Sequence, residues 1–365
     1  MLNHGGQLHI AQQRYPRAEN DWLDLSTGIA PWSWPVPDVP ESVWQRLPES
    51  DEALCAAARG FYVSEAEDTR WSDRELGSVA LAGSQPAIES LPTLFASANV
   101  ALPLWGYGEH AKHWQQADHR LHFYRDSDEL LNWINTGRVT HVVVIRPNNP
   151  NGDCWPMDRL ESVQQSLLSV GGWLIVDEAF ADVHNHACQS QSVLKLMLED
   201  RDANNLVVLR SIGKFFGMAG LRLGFAFAPL SLCDALRTCQ PLWNLSHLAQ
   251  WLGEKMLKDV TWQQQQRIRI AEGVKELRQQ LDETLPSAWQ SMLRNGPLFV
   301  SAFGSRSSLH HVHEYLAKQG IWTRFFEAQD RRSDLPADAG LRLGVPNAEG
   351  MVRLRQALES IDGFF

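Results

Sequence analysis

The amino-acid sequence predicts an α/β fold: a large domain built on a mostly parallel central sheet, with a smaller α+β domain after it. Three observations carry this. Apolar, β-branched runs bounded by loops recur as HVVVIRP (141–147), GGWLIVDEAF (171–180), NLVVLRSI (205–212) and LRLGFAFAP (221–229), and such continuous runs suit strands buried on both faces. Segments with apolar residues at helical spacing, MDRLESVQQSLLSV and SVLKLMLED, stand between them, so strands and helices alternate as in a parallel sheet covered by helices. Beyond residue 230 the pattern changes to long helical stretches and short strands, as in a separate α+β unit.

In chain order, the opening LSTGIAPWSWPVPDVP is too rich in proline for a central strand or a long helix, because proline lacks the donor hydrogen. It is expected as an ordered arm crossing the surface. The helical stretches HLAQWLGEKML and QQQQRIRIAEGVKELRQQL then lead to the short strands GPLFVSAFG, GIWTRFF and GLRLGVP. The QQQQ at 263–266 reads as helix surface, and no internal repeat or low-complexity segment is present.

A chain of 365 residues exceeds the usual size of a single hydrophobic core, which favours two domains. Its 44% hydrophobic and 21% charged content is that of a globular protein. A formal net charge of -10 and no concentrated basic face argue against a nucleic-acid partner. The opening MLNHGGQLHI lacks a signal-peptide pattern, and no stretch has the length of a membrane span, so a cytoplasmic protein is expected. Five cysteines without a CxxC suggest reduced thiols. The groups HNHAC (His184, His186, Cys188) and HHVH (His310, His311, His313) have no second half at zinc spacing, so no metal site is expected.

The residues that could carry chemistry sit at strand ends and loop starts. Lys214 follows a strand among apolar and glycine residues. A lysine poor in counter-ions has a lowered pKa, which suits Schiff-base formation, although a lysine reaching out to the surface fits the segment equally well. Asp177 ends the run WLIVD, where ligands of open α/β sheets bind; helix capping by Asp177 or its neighbour Glu178 is the alternative. The loop RPNNPNG presents an asparagine or is simply turn chemistry. Gly83, Ser84 and Gln85 open a helix, which makes an anion site or an ordinary cap. Tyr107 stands between glycines, an aromatic face with no evident packing role.

Together these residues resemble the fold-type I pyridoxal phosphate enzymes of the aminotransferase class I/II superfamily. Asp177, the Asn149 loop, the Ser211-x-x-Lys214 step and Arg222 eight residues on follow that family's order and rough spacing over nearly the whole chain. HGG near the start, DLSTGIAPWSWP, RLPE, AGSQ and VDEAFAD are similar to the histidinol-phosphate aminotransferase branch, and most of all to the threonine-phosphate decarboxylase group of cobalamin biosynthesis. The resemblance implies an aminotransferase-like fold type I, with an N-terminal arm over 1–45 joining the small domain, a large cofactor-binding domain over 46–260 and a small domain over 261–365. It also implies pyridoxal 5'-phosphate as cofactor and a homodimer.

Carried to this chain, the resemblance implies that Lys214 bonds the cofactor aldehyde and later shuttles the proton, while Asp177 pairs with the pyridine nitrogen. Asn149 would bond the ring hydroxyl and Tyr107 stack on the ring, with His110 supporting Asp177. Gly83, Ser84, Gln85, Ser211 and Arg222 would hold the cofactor phosphate. Arg342 matches the family's arginine for the substrate carboxylate, and Asn149 also faces the substrate. A substrate phosphate would be met by the arm, through His4, Gly5, Gly6, Ser26, Thr27 and Gly28, with Arg324 a further candidate. The chain departs from the aminotransferase pattern at Phe180 and Leu47, which stand where tyrosines are usual, and from the decarboxylase group at Ala30, where asparagine is common.

The expected reaction is decarboxylation of L-threonine O-3-phosphate to (R)-1-aminopropan-2-yl phosphate and carbon dioxide. The alternative is an aminotransferase acting on histidinol phosphate or a related amino acid. A catalytically silent relative is the third reading, and the presence of every core residue speaks against it.

Overall fold

A computed structural model describes residues 5–18, 21–63, 76–183, 192–199, 204–285, 287–330 and 337–360. The chain opens with α1 (Leu8–Arg14), β1 (Leu23–Asp24), α2 (Glu41–Gln45) and α3 (Glu52–Tyr62). A strand and helix alternation follows: β2 (Leu76–Leu81), α4 (Gln85–Ser90), β3 (Asn99–Pro103), α5 (Gly108–Gln116), β4 (Arg120–Tyr124), α6 (Ser127–Asn135), β5 (His141–Ile145), α7 (Met157–Ser169), β6 (Trp173–Asp177), α8 (Leu194–Glu199) and β7 (Leu206–Ser211). The short α9 (Ile212–Phe215), β8 (Gly224–Pro229), α10 (Leu230–Cys239) and α11 (His247–Lys258) complete this part.

These strands form one seven-stranded sheet of order β2-β8-β7-β6-β5-β3-β4. β7, β6, β5, β3 and β4 run parallel, and β8 is antiparallel to both of its neighbours. Side chains of a strand alternate between faces, and here both faces are buried. Val142 and Val144, Leu174 and Val176, and Leu206 and Val208 enter one apolar cluster. Val143, Ile175, Val207 and Leu209 enter another on the opposite face. This explains why the strands read as unbroken apolar runs.

The second part begins with α12 (Val260–Thr284) and α13 (Ser287–Gln290), followed by β9 (Leu293–Asn295), β10 (Phe299–Gly304), α14 (Arg306–Lys318), β11 (Ile321–Trp322), β12 (Arg324–Glu327), β13 (Ala339–Gly344) and α15 (Ala348–Glu359). Its antiparallel sheet has the order β12-β13-β10-β9 and its own apolar cluster, in which Leu277, Leu309, Leu316 and Leu354 are fully buried. β1 pairs in parallel with β11, Leu23 opposite Ile321, so the N-terminal stretch is tied to this second unit.

Three expectations are corrected. The proline-rich stretch is irregular, but Leu25, Ser26, Ala30 and Trp34 are buried, because the chain finds backbone partners inside. Ala30 N–H donates to Lys214 O, and Trp34 N–H to Phe216 O, each at 2.9 Å. Gln263 and Gln266 are buried rather than on the helix surface, since each side-chain amide bridges two carbonyls. Gln263 joins Met256 O and Leu257 O, and Gln266 joins Trp32 O and Phe215 O. Cys55, Cys233 and Cys239 are free, whereas Cys154 is disulfide-bonded, which sequence spacing does not reveal.

Candidate active site

A cavity of about 600 Å³ opens at the carboxyl ends of the parallel strands, roofed by residues of the second sheet. That is the size range of small-molecule sites. Asp177, the last residue of β6, and Ser211, the last of β7, line it beside Lys214. Neither Asp177 nor Ser84 carries out the capping role left open by the sequence. Asp177 Oδ2 meets His110 Nε2 at 2.9 Å and Oδ1 accepts from Ala179 N–H at 3.0 Å. Ser211 and Ser84 precede helices without a side-chain capping bond.

Lys214 faces the cavity and does not reach out to the surface. Burial, followed by the positive charges of Arg342 and Arg222, pushes its amine down to about 8, against an upward pull from Asp177. Amines lose their proton more easily where charge is poorly solvated and like charges crowd in. Phe180 walls this part of the cavity; the lysine Nζ lies 5.9 Å from its ring centroid, and the ring stands edge-on to Phe299.

On the opposite wall, Tyr107 donates to Gln85 Oε1 at 3.3 Å, and burial, then Glu109 and Asp177, raise its phenol to about 12. Arg222 crosses from the Lys214 side and donates to Ala219 O and Ala82 O. No carboxylate among the described residues pairs with it. A Cβ added at Gly83, whose φ is +82°, would lie 2.5 Å from Arg222 Nη2, so only glycine lets the guanidinium lie against that turn. The helix after it spans only six residues, so its dipole is small and Arg222 supplies most of the positive charge.

The remaining wall comes from the arm and the second sheet. Gly5, Gly6, Thr27 and Gly28 line the cavity. Ser26 stands behind them, its hydroxyl accepting from Gly6 N–H at 2.8 Å and donating to Asp24. His4 lies outside the described residues. Arg342 is buried and donates to Asn149 Oδ1 and Ser26 O, while its Nε has no partner. Arg324 is the register partner of Arg342 on the neighbouring strand, and its Nη1 is also buried without a partner. Burial, then the neighbouring Arg324, pushes the Arg342 guanidinium down to about 9, and burial pushes Arg324 to about 10.

Sequence reading missed Glu109 and Lys112, which both line the cavity. Glu109 Oε2 accepts from Lys112 Nζ and His113 Nε2, each at 2.9 Å, and from Gln85 Nε2 at 3.2 Å. Their signal was the i,i+3 spacing in GEHAK just after Tyr107. Leu47 is exposed and does not reach the cavity of its own chain, and Ala30 is buried against the Lys214 turn. In HHVH, His313 Nδ1 meets Thr323 Oγ1 at 2.8 Å, and burial lowers its imidazole to about 4. His184, His186 and Cys188 lie outside the described residues.

A lysine with a lowered pKa, a buried carboxylate held by an imidazole, and an arginine over a glycine turn, set at the ends of a parallel sheet, define a cofactor-dependent α/β enzyme. The family model for aminotransferase class I and II matches residues 42–351, and the chain belongs to that family. It is 38% identical over 359 residues to the threonine-phosphate decarboxylase of Pseudomonas aeruginosa, covering 98% of this chain and 97% of that protein. To the protein of the same name from a Sinorhizobium species it is 34% identical, covering 98% of each. The histidinol-phosphate aminotransferase of Sinorhizobium meliloti, solved in complex with pyridoxal-5'-phosphate, shares the fold with a TM-score of 0.78 at 17% identity, covering 98% of this chain and 94% of that one.

The cavity fits that cofactor by its own chemistry. The Gly83 turn and the uncompensated Arg222 suit a phosphate, Lys214 an aldehyde, and buried Asp177 a protonated ring nitrogen.

Proposed function

We propose that the chain is a pyridoxal 5'-phosphate-dependent decarboxylase of L-threonine O-3-phosphate, releasing carbon dioxide and (R)-1-aminopropan-2-yl phosphate in cobalamin biosynthesis. The observation that carries this reading is the pairing of Arg324 with Arg342 across β12 and β13. Like charges directly opposite on adjacent strands repel, and here each keeps a buried nitrogen without a partner. Two anionic groups on one substrate would relieve that repulsion. A phosphorylated amino acid has both, with the carboxylate toward Arg342 and the phosphate toward Arg324 and the arm glycines.

When bound, the cofactor supplies the electron sink that makes a bond at the substrate α-carbon breakable. The protein's own residues do the rest. Gly83, Ser84, Gln85, Ser211 and Arg222 hold the cofactor phosphate, Tyr107 and Asn149 position the ring, and Asp177, fixed by His110, keeps its nitrogen charged. Lys214 would hold the cofactor through its aldehyde, and its amine, facing the cavity, would carry the proton that the substrate α-carbon takes up once carbon dioxide has left. Arg342 orients the carboxylate that is lost, and errors of about 1 Å in such placement cost on the order of a hundredfold in rate. Phe180 leaves the ring hydroxyl without the usual phenol donor, which fits a site that need not run amino transfer.

Purified, cofactor-loaded protein is expected to release carbon dioxide from L-threonine O-3-phosphate without consuming 2-oxoglutarate. Amino transfer to 2-oxoglutarate from histidinol phosphate, with no carbon dioxide, would replace the reading by an aminotransferase.

The same reading gives a homodimer in the cytoplasm, where a phosphorylated metabolite, too polar to cross a bilayer, is retained. Exposed Trp44, Leu47, Leu242 and Trp243 support a partner surface, since large apolar side chains seldom face water in number. Sedimentation should give twice the chain mass; a monomer at micromolar concentration would contradict the dimer.

A further inference from the structure

Behind the cofactor site lies a group of buried charges with no place in the reaction. Glu178, with 0% exposure, accepts from Arg146 Nη1 at 3.2 Å and from Arg210 Nη1 at 2.6 Å. Arg210 Nη2 also donates to Asp182, and its guanidinium lies 4.0 Å from the Tyr62 ring centroid. Glu178 further accepts from Val193 N–H at 3.0 Å, and Arg146 Nε donates to Trp155 O at 2.9 Å. All four charged residues are buried, two of each sign. Removing one member would leave an uncompensated charge away from water.

Their positions follow the strand alternation. Val142 and Val144, Leu174 and Val176, and Leu206 and Val208 face the first apolar cluster. The next residues in those rows are Arg146, Glu178 and Arg210. The rows in between end at Ile145, Asp177 and Ser211, all of which line the cavity. At three adjacent strand ends, therefore, one residue goes to the cavity and its sequence neighbour to the charge network. The backbone ladder continues through the same place, with Arg146 N–H donating to Asp177 O and Glu178 N–H to Leu209 O, each at 2.8 Å.

We propose that Arg146, Glu178, Arg210 and Asp182 are positioning residues of the cofactor site, whose ion-pair network clamps the ends of β5, β6 and β7 from the face opposite the cavity. The proposal rests on the assignment of Asp177, Ser211 and Lys214 to the cofactor. Apolar side chains would fill the same space, but they would not fix the three ends at one spacing, because dispersion contacts are weakly directional and forked guanidinium bonds are not. Asp177 and Ser211 would then drift relative to each other, on the scale that weakens a ligand held by both.

The test uses cofactor-free full-length protein titrated with pyridoxal 5'-phosphate, together with the pH midpoint of the absorbance of the loaded protein. Arg210→Lys keeps the charge but loses the rigid planar fork that holds Glu178 and Asp182 at one fixed spacing, and Asp182→Asn removes the charge from one arm of the bridge if the lysine variant does not fold. Val208→Ala, a core truncation on the same face of β7, controls for lost stability. The network variants should bind cofactor about 10- to 100-fold more weakly, as when the groups that orient a ligating side chain are removed, with a shifted absorbance midpoint. The alanine control should keep both values. A folded network variant with wild-type affinity and midpoint, or a control that loses as much, would overturn the positioning role. Wild-type protein that takes up no cofactor would instead overturn the site assignment itself.

Discussion

Replacing Lys214 with methionine should abolish turnover and also make the cofactor-free protein more stable at neutral pH. The loss of rate is expected to reach about 10⁴-fold or more, the upper end of what a positioned proton-transfer group contributes, because on the proposed reading the same atom would also hold the cofactor. The stability gain follows from the amine's pKa, lowered in the fold from 10.5 to about 8. Below pH 8 the lysine is charged both folded and unfolded, so the folded state bears the full cost of enclosing that charge. Between about 8 and 10.5 the unfolded chain binds the extra proton, so wild-type stability rises with pH and the cost disappears. A shift of that size is worth on the order of 3 kcal/mol. Thermal unfolding of both cofactor-free proteins from pH 7 to 11 measures it: the methionine variant should lead at pH 7, and the gap should close near 10.5. Equal stability at pH 7 would show that Lys214 is not under electrostatic strain.

Arg324→Met should separate the two anions of the substrate. Truncating one partner of a buried, hydrogen-bonded charge pair costs about 2–5 kcal/mol, and this arginine has no protein partner for its Nη1. KM for L-threonine O-3-phosphate should therefore rise by roughly thirtyfold or more, while unphosphorylated L-threonine should be handled no worse. Arg342→Met should impair both compounds, because both have the carboxylate. The two variants can be compared by steady-state carbon dioxide release. If Arg324→Met left KM unchanged for the phosphorylated compound, the phosphate would have to be bound by the arm alone.

The parts of this protein that were legible in the sequence are those where chemistry breaks a local pattern. Asp177 interrupts an apolar strand at its end, and Lys214 and Arg222 are the two basic residues in a stretch of glycines and aromatics. Both signals are local. Gln266 was misread because four glutamines in a row resemble a wet helix face, and only the folded chain shows that two carbonyls from distant segments need its amide. Arg210 went unread, and Glu178 passed for a strand-end acid or a cap, for a related reason. A charge beside a site residue looks like part of the site, and the parity that sends it to the opposite face appears only once the strand register is known. The pairing of Arg324 with Arg342 likewise depends on the register of β12 and β13, which no spacing in the chain specifies.

The seat of the arm also bears on how the chain is made. Trp32 reaches its place through Gln266, 234 residues later, and its neighbours Ala30 and Trp34 bond to Lys214 and Phe216. During synthesis the arm emerges well before its berth, which is complete only after Gln266, in the early turns of the long helix α12, has emerged. At about 5–20 residues per second that leaves an interval of roughly 10–50 s in which three tryptophans, Trp22, Trp32 and Trp34, have nothing to dock against. This arm, made long before its berth, is among the last parts to find its place, and the cavity wall it forms is finished only when the wall at the strand ends already exists.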